Sequence, residues 1–425
     1  MALVALGLPP RFLTRSLLAQ TGSAAARRKT LVCIFQRGAA DGLSMVVPFG
    51  DPGYAGARRS TRIGAPVRAG GGALDLDGYF GMHPEMAPLH ELWGRRDLAI
   101  VQATGSPHPT RSHFEAQDIM ESADPSGRSR DGWLNRVLSH TPCADCSGRT
   151  LADGRAHAAD HAAGQAGMAA LRGVSMGAEV PVSLRGSHPT LAVGDLSRFG
   201  VAGGRDPELE SAFSRMYRNE RGDAVAGAGG EGLEAAALLR RMDPAGYRPR
   251  DGVDYPAGEF GRSLRQIAQL IKADVGVEIA FADLGGWDTH VAQGGAQGLL
   301  GRRLRELSRG IRALHDDLGD RMEDVVILTM SEFGRTVAEN GTGGTDHGHA
   351  NCMLFLGGGV AGGRVLGDWP GLAPEQLHEG RDLRVTTDFR DVFGEVARRH
   401  LRAGALDRVF PGYSLDPGRW RGVLG

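Results

Sequence analysis

A short glycine-rich segment, residues 345–349 with the sequence TDHGH, contains three side chains that can ligate a metal ion: Asp346, His347 and His349. Imidazole and carboxylate ligands together suit zinc, manganese or iron. The intervening Gly348 lets the backbone bend, so both histidine rings can face one point. Loops also gather polar residues without binding anything, and chance clustering is the alternative. The segment predicts a metal site.

Further ligand-type residues follow predicted strands. Apolar runs at 31–35, 277–282 and 325–329 indicate buried strands, and each is followed by a loop with carboxylates, in one case with a histidine as well. The carboxyl ends of parallel strands lie at one edge of a sheet, so these side chains are expected to converge. Such a cluster can hold two divalent cations. The candidate metal ligands are Asp41, Asp288, His290, Glu332, Asp346, His347 and His349.

Ser112 is the candidate nucleophile, because it lies at a predicted helix start where the helix dipole favours a phosphate or sulfate oxygen. The alternative is a plain N-cap, and the spacing of Ser112 and Glu115 fits a capping box. His113 adjoins the serine. Arg37, Arg111 and Arg335 are expected to clamp an anionic ester through bidentate hydrogen bonds. The alternatives for each are a solvated surface residue and a structural ion pair.

Strands alternate with helices along the chain, which predicts an α/β fold with a mostly parallel sheet sandwiched by helices. Residues 141–260 include a segment rich in Ala, Gly, His and Asp and several helical patterns, and we expect a helical or loop insertion or cap there. The predicted strands are 31–35, 98–101, 174–184, 190–193, 277–282, 325–329 and 353–356. The predicted helices are 86–93, 112–120, 207–217, 233–242, 260–272 and 299–318.

Composition excludes some classes of protein. The 425 residues carry 49 basic and 50 acidic side chains, so no global field attracts nucleic acid or an anionic membrane. Residues 1–29 resemble the remnant of an export signal without its charged start, which predicts an exported, periplasmic or extracellular protein. No segment is long enough to be transmembrane. Cys143 and Cys146 are open between a metal site, a local disulfide and free thiols.

Five ordered motifs resemble the bacterial family catalogued as domain of unknown function 1501, from about residue 30 to the C-terminus. The motifs are QRGAADG at 36–42, GSPHPTRSHFE at 105–115, GWDTH at 286–290, MSEFGRT at 330–336 and GTDHGH at 344–349. Family members usually carry a twin-arginine (Tat) export signal, and the family is similar to the alkaline phosphatase and sulfatase superfamily.

The resemblance implies a single alkaline-phosphatase-like domain over 30–425, with Asp41 as the first metal carboxylate and Ser112 as the nucleophile. Asp288 and His290 would serve one metal, and the 345–349 segment would complete the pair. Glu332 occupies the position after its strand where the superfamily commonly has an Asp-His-Gly motif. The residues after Ser112 do not fit the formylglycine maturation pattern, which disfavours that class of sulfatase.

The sequence therefore predicts a metal-dependent hydrolase of phosphate or sulfate esters, with a serine nucleophile and two divalent ions from among zinc, manganese, calcium and magnesium. The expected substrate is an anionic small-molecule or polysaccharide ester. The alternative is a non-catalytic cell-envelope binding or scaffold protein that retains the fold and a structural metal. A phosphomutase-like activity is a third reading. The oligomeric state stays open.

Overall fold

The structure is a computed structural model, and it describes residues 28–67, 70–141, 170–198, 235–239 and 242–425. Several predictions fall outside these ranges. They are the export-signal remnant up to residue 27, the helix at 207–217, the two cysteines Cys143 and Cys146, and much of the expected insertion at 141–260.

The apolar runs of the sequence form the strands of a large sheet. The strand at Thr30–Arg37, in the middle of the sheet, is buried along almost its whole length, as expected where helices cover both faces. The strands are β1 (Thr30–Arg37), β2 (Val46–Val47), β3 (Leu74–Asp75), β4 (Gly81–Met82), β5 (Leu98–Gly105), β6 (Gly173–Ser175), β7 (Leu191–Ala192), β8 (Ile279–Gly285), β9 (Val325–Met330), β10 (Asn351–Gly357), β11 (Arg364–Leu366) and β12 (Thr387–Asp388).

The main sheet has nine strands in the order β11-β5-β10-β9-β1-β8-β6-β7, with β12 also paired to β5. All neighbours are parallel except β10, which is antiparallel to both β5 and β9. The loop 331–350 returns the chain from β9 to the adjacent β10, and an antiparallel neighbour needs no crossover. The fold is therefore α/β with a mixed, mostly parallel sheet. A separate small antiparallel sheet has the order β2-β4-β3.

Helices cover both faces of the main sheet. Successive residues of a strand point to opposite faces, so in β1 Ile34 packs in one core and Phe35 in the other. The helices are α1 (Gly42–Met45), α2 (Pro52–Ala57), α3 (Ala87–Gly94), α4 (His113–Ser122), α5 (Trp133–His140), α6 (Glu259–Lys272), α7 (Leu299–Leu318), α8 (Phe389–Arg399) and α9 (Leu406–Val409). The first core contains α3, α6 and α7, and the second contains α4, α5, α8 and α9.

Part of the expected cap belongs to the sheet itself. Residues 170–198 supply β6 and β7, which continue the sheet beyond β8. The strand predicted at 174–184 is wrong for most of its length, because the chain leaves the sheet after Ser175 and forms a 3-10 helix at Val182–Leu184. None of the described helices is both long and apolar enough to cross a membrane.

Candidate metal centre

The loops that follow β1, β8, β9 and β5 meet at the carboxyl edge of the sheet, as the parallel arrangement requires. A single buried guanidinium, that of Arg335, joins the loops after β1, β8 and β9. It donates a hydrogen bond to Asp288 Oδ1 at 2.5 Å and further bonds to four backbone carbonyls. The carbonyls belong to Gly38, Ala39, Trp287 and Thr345.

Four side chains from three of these loops lie close together. One donor atom each from His113, Asp288 and His347 lies within 4.8 Å of the other two. His290 adjoins this group, since its Nε2 atom is 2.9 Å from Nε2 of His347 and 3.0 Å from Oδ1 of Asp288. We call these four residues the donor cluster. Three imidazole nitrogens and a carboxylate form a donor set that metal ions bind.

Each histidine of the donor cluster has its Nδ1 atom held by an oxygen that only accepts hydrogen bonds. Nδ1 must therefore carry the proton, and in the neutral ring Nε2 keeps a lone pair directed at the cluster. Protein metal sites commonly orient their histidine ligands in this way. The pairs are His113 with Glu332 at 2.8 Å, His290 with Asp346 at 2.9 Å and His347 with the backbone carbonyl of Arg111 at 2.8 Å.

The Nε2 atoms of the cluster have few favourable partners. Nε2 of His290 lies 3.5 Å from Nη1 of Arg335, and Nε2 of His347 lies 3.3 Å from Oδ1 of Asp288. In the neutral rings, the lone pairs of His290 and His347 face each other across 2.9 Å, which is repulsive unless a proton or a cation lies between them. Nε2 of His113 is buried and has no hydrogen-bond partner within the described part of the chain, although it lies 3.5 Å from Asp288 Oδ2. These atoms are arranged to receive a positive charge.

The pKa shifts of the cluster residues are consistent with a site that receives a positive charge. The hydrogen bond from His113 to Glu332, assisted by the negative charges of Glu332 and Asp288, raises the pKa of His113 despite its partial burial. Burial raises the pKa of Asp288, but Arg335 and the neighbouring histidines hold it below its ordinary value. Burial lowers the pKa of His347. Asp288 is therefore anionic and His347 neutral near pH 7, as metal binding requires.

Asp41 lies outside the donor cluster in a fully buried ion pair. Its two carboxylate oxygens accept hydrogen bonds from both terminal nitrogens of Arg58, and Oδ2 also accepts from Ser44 and Gln293. Burial raises the pKa of Asp41, but the guanidinium and these hydrogen bonds hold it below its ordinary value. The structure thus gives Asp41 a cationic side chain as its partner, where the sequence analysis expected a metal ion.

Two of the remaining predicted ligands orient cluster histidines, and the third lies apart from the cluster. Glu332 is buried and Asp346 is half exposed, and each accepts the Nδ1 proton of a cluster histidine. His349 points away and stacks on His378, with ring centroids 4.4 Å apart. The expectation that Gly348 lets both flanking rings face one point is therefore not met. Gly348 instead allows close packing, since a Cβ atom there would lie 2.3 Å from the carbonyl carbon of Arg335.

The predicted catalytic residues also take different positions. Arg111 donates to Glu379 and to the buried Asp382, so its guanidinium is held in ion pairs. His113 belongs to the donor cluster. Ser112 is exposed and precedes α4 as the N-cap residue, but its side chain makes no capping hydrogen bond. The capping box is absent because Glu115 accepts from the Thr110 hydroxyl.

Two residues important to this architecture, Arg58 and Gln293, were not predicted. Gln293 donates to Asp41 and accepts from the hydroxyls of Thr289 and Thr345, which lie in the two ligand loops. The proximity of Gln293 to His290 in the chain is a weak signal. Arg58 lies in a basic stretch without a motif, so only the fold could identify it.

Comparison with known proteins gives a family without an assigned activity. No curated protein matches the chain. The model of the family described as "Protein of unknown function (DUF1501)" matches residues 99–410, which include Ser112 and the whole donor cluster. The match covers well over half of the chain, and the protein therefore belongs to the DUF1501 family.

Proposed function

We propose that the protein is a metal-dependent hydrolase of phosphate or sulfate esters, and that His113, Asp288, His290 and His347 hold its divalent ion. One observation carries the proposal. One donor atom each from His113, Asp288 and His347 lies within 4.8 Å of the other two, and Nε2 of His290 is 2.9 Å from Nε2 of His347. The Nδ1 atom of each of these histidines is held by an acceptor oxygen. Hydrogen bonds of this kind fix the tautomer and the orientation of metal-ligating histidines.

The residues present fit a metal ion. The unpartnered, buried Nε2 of His113 would gain a partner, and an ion would relieve the repulsion between the Nε2 atoms of His290 and His347. Asp288 retains Oδ2 for coordination, because Arg335 binds Oδ1. An ion bound there would polarise an ester oxygen and stabilise negative charge that develops on it.

Ser112 is the proposed nucleophile. It lies between Arg111, whose carbonyl orients His347, and His113, which belongs to the donor cluster. Its hydroxyl is exposed and is not used as a helix cap, so it remains available for reaction. Attack of Oγ on phosphorus or sulfur breaks the ester bond, and the serine proton leaves with the alcohol. Water then cleaves the serine ester and restores the hydroxyl.

Support for an alkaline-phosphatase-like core is architectural. The mostly parallel sheet carries its candidate chemistry at the carboxyl edge, and Ser112 starts a helix beyond β5. Under this proposal, the cluster histidines are kept in place between turnovers by their hydrogen bonds to Glu332, Asp346 and the Arg111 carbonyl. An anionic ester is the proposed substrate class.

The test combines metal analysis with hydrolysis of p-nitrophenyl phosphate and p-nitrophenyl sulfate. We expect release of p-nitrophenol that is lost on chelation, restored by a divalent ion, and reduced at least about a hundredfold in Ser112→Ala. Ser187→Ala changes another exposed serine and should keep full activity. Undiminished hydrolysis by Ser112→Ala would remove this serine from the mechanism.

A non-catalytic, metal-holding binding or scaffold protein of the cell envelope is the second candidate. The observation that favours it is that two of the arginines expected to bind an anionic ester already have partners within the protein. Arg111 is paired with acidic residues, and Arg335 is buried among carbonyls and Asp288. A bound ion with no turnover of either ester would support this second function over the first.

A further inference from the structure

We infer that the donor cluster is a site for one transition-metal ion, and that buried Arg58 supplies the positive charge beside Asp41 that a second ion would otherwise provide. The inference rests on the metal-binding part of the proposed function and not on hydrolysis. It differs from the two-ion site that the sequence motifs suggested.

The chemistry of the donors decides the class of metal. Three of the four donor groups are imidazole nitrogens, contributed by His113, His290 and His347, and only Asp288 offers oxygen. Imidazole and carboxylate donors together suit zinc, manganese or iron, whereas calcium and magnesium prefer sites made of oxygen ligands. The cluster should therefore discriminate strongly against calcium and magnesium.

The side chains expected to complete a second site are used otherwise. Within the ranges that the structure describes, one group of three or more candidate metal ligands is close enough to share an ion. Glu332 and Asp346 are acceptors for the Nδ1 protons of His113 and His290. His349 is stacked on another histidine. A second ion would have to rely on Asp41.

Arg58 already neutralises Asp41. Both side chains are completely buried, and Nη2 of Arg58 donates to Asp41 Oδ1 at 2.9 Å while Nη1 donates to Oδ2. The remaining guanidinium hydrogen bonds go to Ser44 and to the carbonyls of Thr336 and Val337. A second cation would need to displace a fully bonded buried guanidinium, which is unfavourable.

The ion pair is also connected by hydrogen bonds to both ligand loops. Asp41 Oδ2 accepts from Gln293 Nε2 at 2.6 Å. The carbonyl oxygen of Gln293 accepts from Thr289 at 2.8 Å and from Thr345 at 2.7 Å. Thr289 lies between two cluster residues, and Thr345 lies two positions before a third. The pair thus anchors both ligand loops without contributing a ligand.

The experiment is a calorimetric titration of the chelator-treated full chain with zinc, manganese, magnesium and calcium, with bound metal counted by elemental analysis. We expect one zinc or manganese ion per chain, and affinity for magnesium and calcium weaker by at least about a hundredfold. His113→Ala and His347→Ala should each weaken zinc binding at least about tenfold. The matched control, His349→Ala, should bind zinc as the unaltered protein does.

A paired variant tests the role of Arg58. Asp41→Asn combined with Arg58→Met removes both charges together, and the folded protein should still bind one ion, because neither residue is a ligand. If this variant does not fold, the stoichiometry of the unaltered chain decides the matter.

Each outcome separates the two proposals. Two ions per chain, magnesium binding as tight as zinc binding, or loss of the ion in the folded paired variant would overturn this inference and leave a metal-dependent hydrolase possible. Failure to bind any of the four metals would overturn both proposals. One tightly bound zinc or manganese ion without ester hydrolysis supports the inference and contradicts the catalytic function.

Discussion

Asp41→Asn should destabilise the fold severely while leaving the metal content of the folded protein unchanged. The substitution keeps the shape of the side chain but leaves the charge of Arg58 buried and unpaired. Removing one member of a buried ion pair costs about 3–5 kcal/mol. Asp41 accepts both terminal nitrogens of the guanidinium and is completely buried, so the upper half of that range applies. The total free energy of unfolding of a typical domain is about 5–15 kcal/mol.

The assay is urea denaturation of the chelator-treated protein, so that metal binding does not contribute to the free energy of unfolding. A second measurement on the variant Asp41→Asn with Arg58→Met should show that most of the lost free energy returns, because no uncompensated charge remains. The matched single change Asp346→Asn, on a half-exposed carboxylate, should cost less than about 1 kcal/mol.

Two results would refute this reasoning. A free energy of unfolding within about 1 kcal/mol of that of the unaltered protein would show that the buried pair is not a structural element. Normal stability combined with a lost metal ion would show that Asp41 is a ligand, as the sequence motifs suggested.

Three further predictions concern other parts of the molecule. Glu332→Gln weakens acceptance of the His113 Nδ1 proton, so zinc affinity measured by calorimetry should fall about 10–100-fold with little change in secondary structure by circular dichroism. Gly348→Ala places a Cβ atom against the backbone of Arg335 and should cost about 1–3 kcal/mol in urea denaturation, whereas an unchanged midpoint would contradict the packing described. Burial lowers the pKa of His400 from its ordinary value of 6.5 to about 4, so the unfolded chain binds the proton more readily. The free energy of unfolding should therefore fall as pH decreases from 6.5 towards 4, and His400→Leu should make it less dependent on pH in this range.

The sequence determined the long strands and helices and the edge of the sheet at which the candidate chemistry lies. The run at 325–329 has no polar residue except its last, so it forms a buried strand wherever it pairs. The helix predicted at 299–318 is present with those bounds, because its apolar residues recur at helical spacing. Convergence of the loops after β1, β8 and β9 follows from parallel pairing alone.

The sequence did not determine which ligand-type side chains would meet. Asp41 and Asp288 both follow strands of the same sheet, yet Asp288 belongs to the donor cluster and Asp41 pairs with Arg58. Similarly, His347 and His349 are separated by one glycine but point to different neighbours. These outcomes depend on contacts between residues far apart in the chain, to which no local pattern corresponds.

Residue types and their order therefore specified an α/β sheet with a polar, histidine-rich edge, because hydrophobic periodicity and strand polarity are local properties. The tertiary structure decided that Glu332 and Asp346 orient histidines, that His113 joins the donor cluster, and that a guanidinium neutralises Asp41. The physical reason is that a side chain's role is fixed by the charge and hydrogen-bonding groups packed against it, and packing brings those groups from distant segments.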